Sequence, residues 1–202
     1  MMQTDDVPTV LGTPTTYSYE ASEGPGFIEV CLPPNGGSVS VPTEAPIEWV
    51  SMTIKVSAKR TGLALLDEYA YTYAGSAQAA RVFAAIVDAS RSCAGSVTQP
   101  ISEGDPITLT RTLTTGTVPG GGVWVQTSTL LSQKVVEGGR AKQITEDPGI
   151  DREMTYTVFT LAGDAVIETS YNAPAQARAS ARQASALQRL GIENAQLWGA
   201  RP

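Results

Sequence analysis

Along most of this chain apolar and polar residues alternate one for one, and only two stretches change to the helical period of about 3.6. Val50, Met52, Ile54 and Val56 alternate with Ser51, Thr53, Lys55 and Ser57, the pattern of a strand with one buried face. After the connection Lys59-Arg60-Thr61-Gly62, the stretch from Leu63 to Ala74 places Tyr69, Tyr71 and Tyr73 on one face. Two strands with so short a loop predict an antiparallel pair. Ile107, Leu109, Arg111 and Leu113 alternate with Thr108, Thr110, Thr112 and Thr114. Beyond the turn at Pro119-Gly120-Gly121-Gly122 the alternation resumes from Val123 to Gln133. Arg152 to Leu161 and Ala165 to Tyr171 predict a hairpin about Gly163-Asp164. Phe27 to Leu32 is a shorter apolar run, read as a strand that Pro33-Pro34 ends.

The first helical stretch is residues 77 to 93, with Ala79, Phe83, Ile86, Val87 and Ser90 on one side, Ser76 as its cap and Gly95 as its stop. The second runs from about Ala175 to Leu190, with Ala177, Ala181, Ala184 and Leu187 as a narrow stripe and Gly191 as its stop. The strands come in runs instead of alternating with helices. That predicts an α+β fold, a mostly antiparallel sheet of about six or seven strands flanked by two main helices. Residues 1–26, rich in Thr, Pro, Ser, Glu and Gly, read as an N-terminal polar segment, irregular from Thr13 to Gly26. Residues 27–192 read as a single domain, and 193–202 as a tail in which Leu197 and Trp198 could dock.

Composition narrows the function classes. The net charge of −6 lacks the clustered Lys and Arg that phosphate backbones need, so nucleic acid is not an expected partner. No run of about 18 apolar residues is present to span a membrane. Histidine is absent, which removes Ser-His-Asp and Cys-His catalysis and the commonest transition-metal ligand. No phosphate-binding glycine loop, dinucleotide fingerprint or nucleophile elbow occurs, so no cofactor is expected. The two cysteines, Cys31 and Cys93, leave two readings open. One is a disulfide, which implies an exported protein. The other is a pair of unrelated buried thiols. Export in turn implies a leader missing from this sequence, and the polar opening Met1 to Asp6 fits a start without one. Four Lys against ten Arg, with abundant Ala, fits a GC-rich bacterial genome.

The candidate chemistry is sparse. Arg111 alternates in phase with Ile107, Leu109 and Leu113, so it points where apolar residues point, and a buried guanidinium needs a partner. It binds an anion in a cleft, or it reaches the sheet edge or pairs with a core carboxylate such as Glu168. Tyr71 and its neighbours Tyr69 and Tyr73, with Trp124 and Tyr156, either line an apolar ligand pocket or form ordinary cross-strand core pairs. The threonine row from Thr108 to Thr114 reads as a solvent-facing surface. Asp67-Glu68 and Glu146-Asp147 are carboxylate pairs by type only, since neighbours on a strand point to opposite faces and carboxylates in a turn are usually solvated.

The stretch Tyr71-Thr72-Tyr73-Ala74-Gly75-Ser76-Ala77-Gln78-Ala79-Ala80-Arg81-Val82-Phe83, then Cys93-Ala94-Gly95, resembles the PknH-like extracellular sensor domain family of actinobacteria. Gly163-Asp164-Ala165-Val166-Ile167-Glu168, followed by a closing Ala/Arg/Gln helix, is similar to that family's ending. The resemblance implies an antiparallel sheet flanked by helices, a cleft for an unidentified ligand, and Cys31 with Cys93 as a structural pair. Family members often carry two disulfides, whereas this chain can form one. Together these readings point to a non-catalytic ligand-binding or sensor-type domain of the exterior or cell envelope, from an actinobacterial secreted protein or lipoprotein. Its expected partner is a small molecule or an envelope protein, with membrane contact only through a lipid anchor on a missing leader. Arg111, Trp124, Tyr71 and Tyr156 are the candidate ligand contacts, in a sizeable apolar cleft beside the sheet. The alternatives are a protein–protein interaction module of the envelope and a carboxylate-dependent hydrolase.

Overall fold

The computed structural model describes residues 2–22, 26–31, 38–42, 44, 46, 48–58, 62–100, 107–137, 140–144, 152–174, 176 and 178–200. In chain order the elements are β1 (Thr13–Ser22), β2 (Phe27–Cys31), β3 (Val39–Pro42), β4 (Glu48–Ala58), β5 (Gly62–Thr72), α1 (Ser76–Arg91), β6 (Gly95–Pro100), β7 (Ile107–Val118), β8 (Gly122–Glu137), β9 (Arg140–Ile144), β10 (Arg152–Ala162), β11 (Ala165–Pro174) and α2 (Ala181–Gly199). The fold is α+β, as the runs of strands predict. Eight strands form an antiparallel path in the order β1-β4-β5-β11-β10-β8-β7-β6, and β9 pairs with the far end of β8. β2 and β3 make a separate two-stranded sheet. The predicted hairpins β4–β5 and β10–β11 both form.

Alternation assigns every residue of the large sheet to one of two faces. On the first, Met52, Ile54, Leu66, Met154, Tyr156, Val158 and Tyr171 pack against Leu187 and Leu190 of α2, and Met2 and Leu11 of the N-terminal segment complete this core. Glu68 lies on the same face, buried, and accepts hydrogen bonds from the Met2 backbone N–H at 2.7 Å and the Trp198 indole N–H at 2.8 Å. One carboxylate thus ties both ends of the described chain to the central strand β5. On the second face, Val123, Val125, Phe159, Val166, Tyr71 and Tyr73 pack with Ala79, Val82 and Ile86 of α1 and with Ile28, Val30 and Val41 of the small sheet. The disulfide between Cys31 and Cys93, with Cα atoms 6.1 Å apart, fastens β2 to the chain just after α1.

Several expectations are corrected. Thr13 to Ser22 is the edge strand β1, not irregular chain, and pairs with β4 from Thr13↔Ser57 to Ser22↔Trp49. Its Thr and Tyr residues favour extended backbone without supplying an apolar stripe, so periodicity missed it. The cap of α1 is Gly75 without a side-chain bond, not Ser76. α2 begins later, where the Ser180 side chain accepts from the Gln183 N–H in a capping box, and it continues to Gly199 through most of the expected tail. Gly191 is therefore no stop. A Cβ there would meet Val158 Cγ1 at 2.7 Å, so the glycine lets the helix lie close on the sheet. Glu146 and Asp147 fall outside the described residues.

Two measurements check this frame. The unfolded, unreduced chain should show no thiol to Ellman's reagent, and replacing both cysteines by serine should cost about 4 kcal/mol for the 62-residue separation. Gly191→Ala should destabilise by about 1–3 kcal/mol through overpacking against a stiff β-branched side chain, whereas an exposed helix position would gain about 1 kcal/mol from the same change. Urea melts of the variant decide the sign.

Candidate ligand-binding cleft

The second face of the sheet is covered only in part. α1 has 16 residues and so a length of about 24 Å, while the 12 residues of β7 extend about 40 Å. Where α1 and the small sheet end, the strands run on, and the exposed remainder is the floor of a cavity of about 430 Å³. The residues change character along it. The covered end carries Val123, Phe159 and Val166, whereas the open end carries Thr127 and Thr129 of β8, Thr155 and Thr157 of β10 and Ser170 of β11. Phe27, Glu29, Val30 and Cys31 of β2 form one wall, Tyr69 and Tyr71 of β5 another. The cross-strand row Arg111–Thr129–Glu153 lies at the open end.

Glu168 stands where the apolar and hydroxyl regions meet, opposite Phe159 on one side and Tyr69 on the other. The Tyr71 hydroxyl donates to its Oε2 at 3.2 Å. Burial pushes the Glu168 carboxyl up to about 8; the Tyr71 bond works against that shift, and the negative charges of Asp67 and Glu29 add to it. Burial likewise raises Asp67, against a hydrogen bond of 2.5 Å from the Thr53 hydroxyl. Burial and then the Glu168 charge raise Tyr71, so its hydroxyl remains a donor. Tyr69 stacks on Trp49 with ring centroids 6.0 Å apart, which fixes that wall. Arg111 is half-buried, and no carboxylate lies within ion-pairing distance of it among the described residues.

Of the four ligand contacts expected from sequence, the structure brings Tyr71 and Arg111 to this cleft and takes Trp124 and Tyr156 away from it. Trp124 and Tyr156 stack at 5.4 Å on the opposite face under α2, where Gln188 Nε2 donates to the Tyr156 hydroxyl at 2.7 Å. Odd positions of β8 and β10 face the cleft and even positions face α2, which excludes both aromatics from it. The expected apolar cleft is instead mixed, about as polar as it is apolar. Arg111 does not pair with Glu168, which lies three strands away. Asp67 and Glu68 point to opposite faces and make no catalytic pair. Sequence reading missed the floor threonines, Glu29, Glu153 and the place of Glu168. The interrupted apolar phase of β10, with Thr155 and Thr157 ahead of Phe159, was the available signal. The row from Thr108 to Thr114, expected to face solvent, lies on the other face; Thr108, Thr110 and Thr112 are half-buried there and hydrogen-bonded to Ser132, Thr98 and Ser96, and Thr114 is exposed.

No protein-family model matches the chain, and no curated protein matches it significantly. Among solved structures, the extracellular domain of PknH from Mycobacterium tuberculosis is similar, with a TM-score of 0.52 at 10% identity over 98% of this chain and 93% of that chain. At that identity the likeness shows the fold, and it agrees with the architecture that the resemblance implies.

The raised Glu168 carboxyl carries a pH prediction. The folded chain keeps its proton up to about pH 8, while the unfolded chain releases it near its ordinary value of 4.5. Between those limits the native state holds more protons, so stability falls as pH rises from about 5 to 8 and levels beyond. Glu168→Gln should remove that slope relative to the parent chain in urea melts across this range. An unchanged slope would place the carboxyl in an ordinary environment.

Proposed function

We propose that this chain is a non-catalytic, exported ligand-binding domain of sensor type, acting at the exterior or envelope of an actinobacterium as part of a secreted protein, lipoprotein or receptor. The observation that carries it is the cleft itself: a volume within the usual range of ligand pockets, roughly 300–1,000 Å³, held between a disulfide-fastened wall and a rigid sheet. The disulfide supports an oxidising compartment. The fold shared with the extracellular domain of PknH supports the sensor-type reading. Tyr71, Glu168 and Arg111 recognise the ligand, with no cofactor. Trp124 and Tyr156 act from the other face as structure. Membrane contact is through a lipid anchor or spanning segment on a preceding stretch.

A second reading, docking of another envelope protein, is favoured by the edge strand β1, where Tyr17 and Tyr19 are 68% and 56% exposed. The two readings separate in one experiment. The disulfide-intact chain is incubated with a small-molecule extract of actinobacterial envelope, desalted and examined by native mass spectrometry. The ligand reading predicts an added mass that Arg111→Ala and Glu168→Ala reduce at least tenfold and that Tyr17→Ser leaves in place. No added mass, or one that persists in both cleft variants, contradicts it.

A further inference from the structure

The lining of the cleft also defines the chemical class of its ligand, an inference that rests on the ligand-binding reading above. The geometry points to an oligosaccharide, an extended chain of neutral sugar rings laid along the floor from Glu168 to Arg111. Three alternatives conflict with the side chains present. An acyl chain would need an aliphatic lining, and the cleft offers little beyond Val30 and Val125. A phosphorylated or nucleotide ligand would need cations, and one Arg faces three glutamates there. An amine would satisfy the carboxylates but has only donors, so it could not accept from the floor hydroxyls or from Arg111.

Sugar hydroxyls donate and accept at once, and this lining demands both. Thr127, Thr129 and Thr155 make no side-chain hydrogen bond among the described residues, and each offers one donor and two acceptor lone pairs to the cavity. Glu153 accepts; the Glu168 carboxyl, protonated up to about pH 8, both donates and accepts; Arg111 donates through a planar fork. Glu153 already accepts from Asn172 at 3.0 Å, which fixes it in place with acceptor capacity left. Thr157 and Ser170 hydrogen-bond each other at 3.1 Å. The apolar faces of sugar rings find aromatic surface at Tyr69, held by Trp49, and at the exposed Phe27 on the lip. Glu168 and Arg111 lie six residues apart in register along the strands, about 20 Å, which exceeds one or two rings.

Calorimetric titration of the disulfide-intact chain with cellohexaose, chitohexaose and maltohexaose tests this, with spermidine as the amine arm. At least one hexasaccharide should bind with Kd at or below about 1 mM and at least tenfold more tightly than its disaccharide. Thr129→Val with Thr155→Val, near-isosteric and on a half-buried floor, should weaken it roughly tenfold or more with an unchanged melting curve. No binding by any hexasaccharide, binding of spermidine alone, or full affinity in the double variant overturns the assignment. A captured envelope compound that is not a saccharide would overturn it while leaving the ligand-binding reading intact. Absence of any captured compound removes both.

Discussion

The whole molecule depends on the alternation of side chains across one continuous antiparallel sheet. Its strands are long enough to outrun what packs on them. α2 and the N-terminal segment cover one face with aliphatic and aromatic side chains, and α1 with the small sheet covers only part of the other. A residue rises about 3.3 Å in a strand and 1.5 Å in a helix, so a helix of similar residue count cannot cover a long strand. The uncovered length must be polar, and its hydroxyl-bearing positions follow from that need. The cleft is thus a consequence of mismatched element lengths, with its wall held in place by Cys31–Cys93.

Two glutamates show how the faces differ. Glu68 and Glu168 sit on neighbouring strands β5 and β11, in adjacent registers and on opposite faces. Glu68 is 1% exposed and accepts from two N–H donors that close it in, so it serves to fasten the chain ends. Glu168 accepts from one tyrosine, has other carboxylates nearby, and borders open space. Leaving a carboxyl with a single donor beside a cavity costs stability that further N–H donors, such as those at Glu68, would recover. That cost fits a group kept for recognition.

Most of the fold was legible because period-two patterning is a direct record of burial on a pleated surface. The hairpins β4–β5 and β10–β11 follow from it. β1 was not legible: Tyr17 and Tyr19 face outward on an edge and Thr and Ser fill the rest, so no buried stripe marks it. Gly191 misled because a glycine late in a helix stretch signals a stop, whereas here it serves a close approach to Val158 that only tertiary structure reveals. In the site, Arg111 and Tyr71 were found by phase within their own strands. Trp124 and Tyr156 were grouped with them by residue type, without the register between strands that separates the faces. Relative register across β8, β10 and β11 is long-range information, absent from any single strand's pattern.

Neighbouring positions of one strand, β10, face a sealed core and an open cleft. Native-state maleimide labelling of β10 tests it most directly, using Met154→Cys and Thr155→Cys in turn, each in the chain whose own cysteines are disulfide-bonded. Thr155→Cys should label within the mixing time, while Met154→Cys, at a position with 0% exposure, should label only at the rate of unfolding. Equal labelling of both, or protection of Thr155→Cys, would contradict the claim.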